Sequence, residues 1–178
     1  MKTLFLLRHA KSDWADPDQR DVDRPLNARG RAAARAMGEE LRRLGLAADR
    51  IACSPARRAV ETLALVADGY RGRMPVVQEP RLYLAAVETL MEIIRGTDDS
   101  HASLLLVGHN PGLQVLTLLL AKDAPMRGDV SAKYPTAALA EVKFDVERWG
   151  EATPHAGRLE RFLRPRDLVQ RGGGSSRA

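Results

Sequence analysis

TLFLLRHAKS, residues 3–12, drives an unbroken apolar run straight into two adjacent cationic side chains, Arg8 and His9. A continuous run of this length reads as a strand buried on both faces, Thr3 to Leu7, as in parallel sheets covered by helices; a strand with one wet face alternates. Such a strand gains nothing by ending in Arg8 and His9. The pair is either ordinary surface or a place for an anion. The same pattern returns at SLLLVGHNPG, residues 103–112, where an apolar strand over Ser103–Val107 runs into Gly108 and His109.

Between and after these two runs the spacing alternates between strand and helix. RPLNARGRAAARAMGEELRRLG reads as a helix capped by Asn27, with Ala33, Met37, Leu41 and Leu44 on one face and Gly45 as its stop. Arg50–Ser54 is a short strand leading into SPARRAVETLALVADGY, a helix with Ser54 as N-cap, Pro55 at the first helical position and a stripe of Ala56, Ala59, Val60, Leu63, Ala64 and Ala67. Val76 and Val77 mark a third strand, and Val87, Leu90, Met91 and Ile94 a third helix. Leu113–Leu120 is apolar enough to be a helix covered on several sides. Thr136–Val146 and Gly157–Pro165 are two late strands.

This order predicts an α/β three-layer sandwich: a largely parallel central sheet with helices on both faces. One domain over residues 1–168 suits the length, followed by a Gly/Ser-rich tail, 169–178, expected to be disordered.

Composition narrows the function classes. At 44% hydrophobic and 29% charged the chain reads as an ordinary globular protein. The formal charge of +5 raises nucleic acid as a partner, but aromatics are only 4% and the arginines are spread along the chain, so none is expected. The apolar run at the amino terminus is cut off by Arg8 and His9, too short for a signal-sequence core, and no stretch approaches the ~18 residues of a membrane span. The single cysteine, Cys53, sits in an apolar run and reads as core; a cytoplasmic location is expected, with no membrane association.

Ligands of open parallel sheets bind beyond the carboxyl ends of the strands. His9 and His109 lie at two such ends, whereas His101 and His155 fall in loops. The helix after Ser54 carries Arg57 and Arg58 in its first turn, where free N–H groups and the helix dipole favour an anion. No His, Cys and Asp set at zinc spacing accompanies them. Arginine forks grip phosphate oxygens, and a neutral imidazole can attack phosphorus, so the set suits a phosphoryl group.

LRHAKS, SPARRAVET and LLLVGHNPG together resemble the histidine phosphatase superfamily, with its phosphoglycerate mutase-like fold, and within it the small SixA-like phosphohistidine phosphatases. The resemblance covers residues 2 to about 145. It implies that His9 is the nucleophile that becomes phosphorylated, with Arg8 and Arg58 binding the phosphoryl group and His109 completing the cage. Ser54, Ala59 and Thr62 match the rest of the second motif. Arg57 lies about 100° around the helix from Arg58 and is read as surface. Nearby arginines are expected to lower the His9 pKa, and a backbone carbonyl to hold its other ring nitrogen.

The resemblance also implies an acid in many larger members, between the third strand and the next helix. Here that segment is EPRLYLAAVE (79–88), with Leu84 about where the acid would stand; Glu79, Glu88 and Asp13 read as solvated carboxylates. The absence of an acid disfavours esters, whose alkoxide must be protonated, more than it disfavours phosphohistidine. The resulting expectation is a phosphatase without metal or organic cofactor, acting on a phosphorylated protein such as a histidine phosphotransfer domain. The rivals are a phosphatase for small phosphorylated molecules and a non-catalytic binder of phosphorylated ligands.

Overall fold

The computed structural model describes residues 1–70, 76–121 and 125–172. Its centre is the strand from the amino-terminal apolar run, β1 (Lys2–Arg8). β2 (Arg50–Cys53), β3 (Val76–Gln78), β4 (Ser103–Gly108), β5 (Leu139–Phe144) and β6 (Gly157–Leu163) complete one six-stranded sheet in the order β3-β2-β4-β1-β5-β6. The first four strands pair in parallel, and only β5 runs against the rest.

The apolar runs are continuous because alternate residues face different layers. Phe5, Leu7, Ile51, Cys53, Leu105 and Val107 pack against α1 (Ala28–Arg43) and α2 (Arg57–Tyr70), and Leu168 of α6 (Pro165–Gly172) joins them. Leu4, Leu6, Ala52, Leu104 and Leu106 face the other way, onto α3 (Val87–Arg95), α4 (Gly112–Leu120) and α5 (Arg127–Ala132). The three-layer α/β sandwich expected from the sequence is the fold.

Register is what positions the site. Arg8 lies level with Gly108, and Cys53 level with Val107. His9, Ser54 and His109 therefore leave the sheet side by side, with the His9 amide donating to the Gly108 carbonyl and the Ser54 amide to that of Val107, each at 3.0 Å. α1 is seated close to this edge: a Cβ on Gly30 would stand 2.2 Å from the Lys11 carbonyl oxygen, a contact only glycine permits.

Several local expectations change. α2 starts at Arg57, so Ser54 and Pro55 precede it: the Ser54 hydroxyl accepts from the Ala56 amide at 3.3 Å as well as from His109, and the helix hydrogen bonds begin at the Ala56 carbonyl. On α2 the buried face is rotated from the apolar stripe: Val60 and Ala64 are exposed, while Arg58 and Thr62 are buried beside Ala59 and Leu63. α4 is covered on one side only, leaving Val115 exposed. α5 is unanticipated, since it buries only Val130 and has no apolar period to read. Residues 169–172 of the expected tail complete α6; residues 173–178 lie outside the described residues. Among the described residues no helix is long and apolar enough to cross a membrane.

Candidate active site

Beyond the carboxyl ends of β1, β2 and β4 opens a cavity of about 750 Å³, and Arg8, His9, Arg58 and His109 all line it. The four residues singled out in the sequence thus come together from three separate elements. His9, Arg58 and His109 are each more than nine-tenths buried, and the two imidazoles stand 5.1 Å apart between ring centroids.

Each side chain is held by a group that fixes its chemistry. His9 Nδ1 lies 2.7 Å from the Ala10 carbonyl, which can only accept, so this nitrogen carries the proton and the Nε2 lone pair is free. Ala10 is itself clamped: its amide donates to Thr62 Oγ1 at 2.8 Å, and that hydroxyl donates to the Arg58 carbonyl at 2.6 Å. His109 takes the opposite tautomer. Arg58 Nη2 donates to its Nδ1 at 3.4 Å, so its Nε2–H donates to Ser54 Oγ at 2.8 Å.

Arg58 reaches the cavity through a carboxylate that sequence reading missed. Its Nη2 donates to Asp21 Oδ2 at 2.9 Å and its Nη1 to the Asp21 carbonyl at 2.5 Å. Tyr83 also donates to Asp21 Oδ2, at 2.7 Å, and sets its ring edge-on to His109. Arg8 Nη1 donates to the Tyr134 carbonyl at 2.7 Å, while Arg8 Nε is buried without a partner among the described residues. Arg57 is exposed and paired with Glu61, consistent with a surface role.

Burial is the main cause of a low pKa at both imidazoles. His9 is pushed down to about 4 by desolvation, against the Ala10 hydrogen bond and with help from the Arg58 and Arg8 charges. His109 is pushed down to about 3 by desolvation, then by His9 and Arg58. Both are neutral at pH 7, so the positive charge of the inner site rests on the two arginines.

The Ser12–Arg24 stretch forms a wall of the cavity. It supplies Asp21 from a 3₁₀ turn over Asp21–Asp23, together with Ser12 and Trp14. Leu84, at a positive φ of 49°, also lines the cavity, at the position where the sequence reading placed the missing acid. Glu79, Glu88 and Asp13 do not line it; Glu79 is bound to Arg81. Among the described residues the carboxylates that do are Asp21 and Asp129, held by Arg58 and by Arg164. Among the described residues no group of three His, Cys, Asp or Glu is placed to share a metal ion.

The motif at the end of β1, and the chain as far as Tyr83, match the profile of the Histidine phosphatase superfamily (branch 1) over residues 4–83. The candidate phosphohistidine phosphatase SixA of Agrobacterium tumefaciens superposes with a TM-score of 0.79 at 29% identity, over 92% of this chain and 98% of that one. The chain belongs to the histidine phosphatase superfamily. Its SixA-like character extends to the candidate SixA of Nakamurella multipartitia, with a TM-score of 0.80 at 25% identity over 92% and 96% of the two chains. The uncharacterised protein Rv1276c of Mycobacterium tuberculosis is 36% identical over 164 residues, 90% of this chain and 100% of that protein. Membership makes this chain a phosphatase of that superfamily. Its substrate is a separate question.

Proposed function

We propose that the protein removes phosphate from phosphohistidine on another protein, through a phosphorylated His9. The observation that carries this reading is the state of the carboxylates: both that line the cavity are bound to arginine, and Asp21 is held below the usual carboxylate range. Burial opposes that lowering, but hydrogen bonds from Tyr83 and Arg58 outweigh it. Asp21 is thus not a protonated donor at neutral pH, which an alkoxide leaving group needs, and Asp129 is engaged by Arg164.

Transfer from one imidazole to another has no such requirement. The Nε2 lone pair of His9 attacks phosphorus in line, and the bond from phosphorus to the substrate nitrogen breaks with its electron pair returning to that ring. The leaving imidazole keeps the proton on its other nitrogen and departs neutral. The bond formed is the same kind as the bond broken. Arg8 and Arg58 neutralise the equatorial oxygens, which is most of what phosphoryl transfer asks of a protein. Water then adds its oxygen to phosphorus, the bond to Nε2 breaks, and both water protons leave with the phosphate as dihydrogen phosphate. A reducing compartment, such as the cytoplasm, suits the buried Cys53, whose thiol burial pushes up to about 12.

The test is a rapid alkaline quench after mixing with a histidine-containing peptide phosphorylated by phosphoramidate, followed by peptide mass spectrometry. Phosphate on His9, absent in His9→Ala, and a higher kcat/KM for this peptide than for sugar phosphates are expected. Full turnover by His9→Ala overturns the mechanism; preference for sugar phosphates overturns the substrate; tight vanadate binding without any turnover favours a binding protein.

A further inference from the structure

The cavity holds more positive charge than a phosphoryl group can use. Among the described residues seven cationic side chains and two carboxylates line it, an excess of five. That excess at one opening equals the formal charge of +5 of the whole chain. Arg8 and Arg58 lie at its inner end. Lys11 after β1, Arg29 in the first turn of α1 and Lys133 at the end of α5 are exposed around it, and none makes an ion pair among the described residues. Arg166, exposed in the first turn of α6, lies only within 3.6 Å of Asp167.

Single cations scattered on a surface mean little. Four on separate elements, all facing one cavity whose carboxylates are already taken, form a field that selects and steers anions. A transferred phosphoryl group brings about two negative charges, which the inner arginines match. The outer cations are left for charge elsewhere on the substrate. They come from four separate elements, each exposed to solvent, so they fit an extended acidic surface better than one more phosphate. Trp14 strengthens this choice: 68% exposed on the same rim, its ring is pinned with the Arg24 guanidinium 3.8 Å from the centroid. An exposed tryptophan stacked with an arginine is the composition of a protein contact.

We infer that this rim is a docking surface for the acidic face of a phosphorylated protein, selecting substrates with Asp and Glu around the phosphohistidine. The inference rests on the phosphoprotein reading above and adds a rule for which phosphoproteins are taken.

Two phosphoramidate-treated peptides test it, with one histidine flanked by Asp and Glu in the first and by Ser and Gln in the second. The intact protein is expected to favour the acidic peptide about tenfold or more in kcat/KM at low salt, as three exposed ion pairs allow. That ratio should collapse toward one in 0.5 M salt, estimated at roughly half the 0.1 M Debye length, and in the triple variant K11Q/R29Q/K133Q. Salt needs no variant to fold, so it stands as an independent reading. Equal rates on the two peptides, or a ratio unmoved by both salt and the triple substitution, overturns the docking rule while leaving phosphohistidine as substrate. Hydrolysis of neither peptide alongside turnover of sugar phosphates overturns the substrate reading itself.

Discussion

Thr62→Val isolates the clamp behind His9. The two side chains have nearly the same shape, so the fully buried site keeps its packing and loses only the hydroxyl. That hydroxyl is the acceptor for the Ala10 amide, and Ala10 is fully buried too, so no water replaces it. A buried donor left without a partner costs about 1–3 kcal/mol, and urea unfolding should read a loss of that size. The second effect is on chemistry. The Ala10 carbonyl holds the Nδ1 proton of His9, and a hydrogen bond worth about 1–1.5 kcal/mol sets a tautomer ratio of about ten. Loosening Ala10 should therefore let the proton move to the attacking nitrogen, taking the competent tautomer from about ten in eleven to about one in two and lowering kcat/KM about twofold.

The assay pairs kinetics on a phosphohistidine peptide with ring-nitrogen NMR shifts of His9. Thr62→Ser restores the hydroxyl and should recover both rate and shifts even if it packs less well. A Thr62→Val protein that loses stability yet keeps its full kcat/KM and unaltered His9 shifts would refute the coupling, leaving Thr62 a purely structural residue.

Arg58→Lys replaces a fork that meets Asp21 twice and His109 once with a single point charge; kcat/KM should fall about a hundredfold, from one or two charge-assisted bonds at about 1.5–3 kcal/mol each. Ser54→Ala removes the acceptor of the His109 Nε2 proton and should cost about tenfold in kcat/KM with little change in expression, checked against His109→Ala, which should cost more. Gly30→Ala puts a methyl 2.2 Å from the Lys11 oxygen and 2.9 Å from its nitrogen, so thermal unfolding should show a loss of about 1–3 kcal/mol or more, and kcat/KM should drop because this peptide carries the carbonyl that holds His9. By proton NMR the His9 ring should stay neutral as pH falls past 6.5 and titrate only near 4. Because the unfolded chain takes up this proton near 6.5 and the folded one does not, stability should be full above pH 6.5. It should decline on the way down to about 4, by on the order of 3 kcal/mol from His9 alone; a flat profile across that window would contradict it.

The readable parts of this fold are those where a residue's neighbours in sequence decide its role. β1 and β4 were plain because a strand between two helical layers must be apolar on both sides, and the residues after such strands must collect at one edge. That logic alone brings His9 and His109 together. Arg58 follows from the helix start beside them. What stayed hidden is set by distant partners. Asp21 is one of five aspartates between Asp13 and Asp23, and nothing local separates the one that binds Arg58 from those facing water. Ser54 reads as an N-cap because caps are what serines before helices usually are; its hydroxyl does take the Ala56 amide, but it also accepts the His109 Nε2 proton from the neighbouring strand's end, which no local signal shows. The stripe on α2 misled for a related reason. An apolar count cannot see that Arg58 and Thr62 are buried to serve the cavity, displacing Val60 to the surface.

The burial that makes these residues hard to read is also what the proposed chemistry needs. An exposed histidine near pH 6.5 is protonated part of the time at neutral pH, and a protonated Nε2 cannot attack. Drawing His9 into the protein beside two permanent cations keeps the lone pair available throughout the neutral range. The cost is that, among the described residues, both carboxylates of the site are held in ion pairs, Asp21 by Arg58 and Asp129 by Arg164. A site that perfects the nucleophile in this way gives up leaving groups that need an acid, and phosphorus bound to nitrogen is the bond that tolerates the loss.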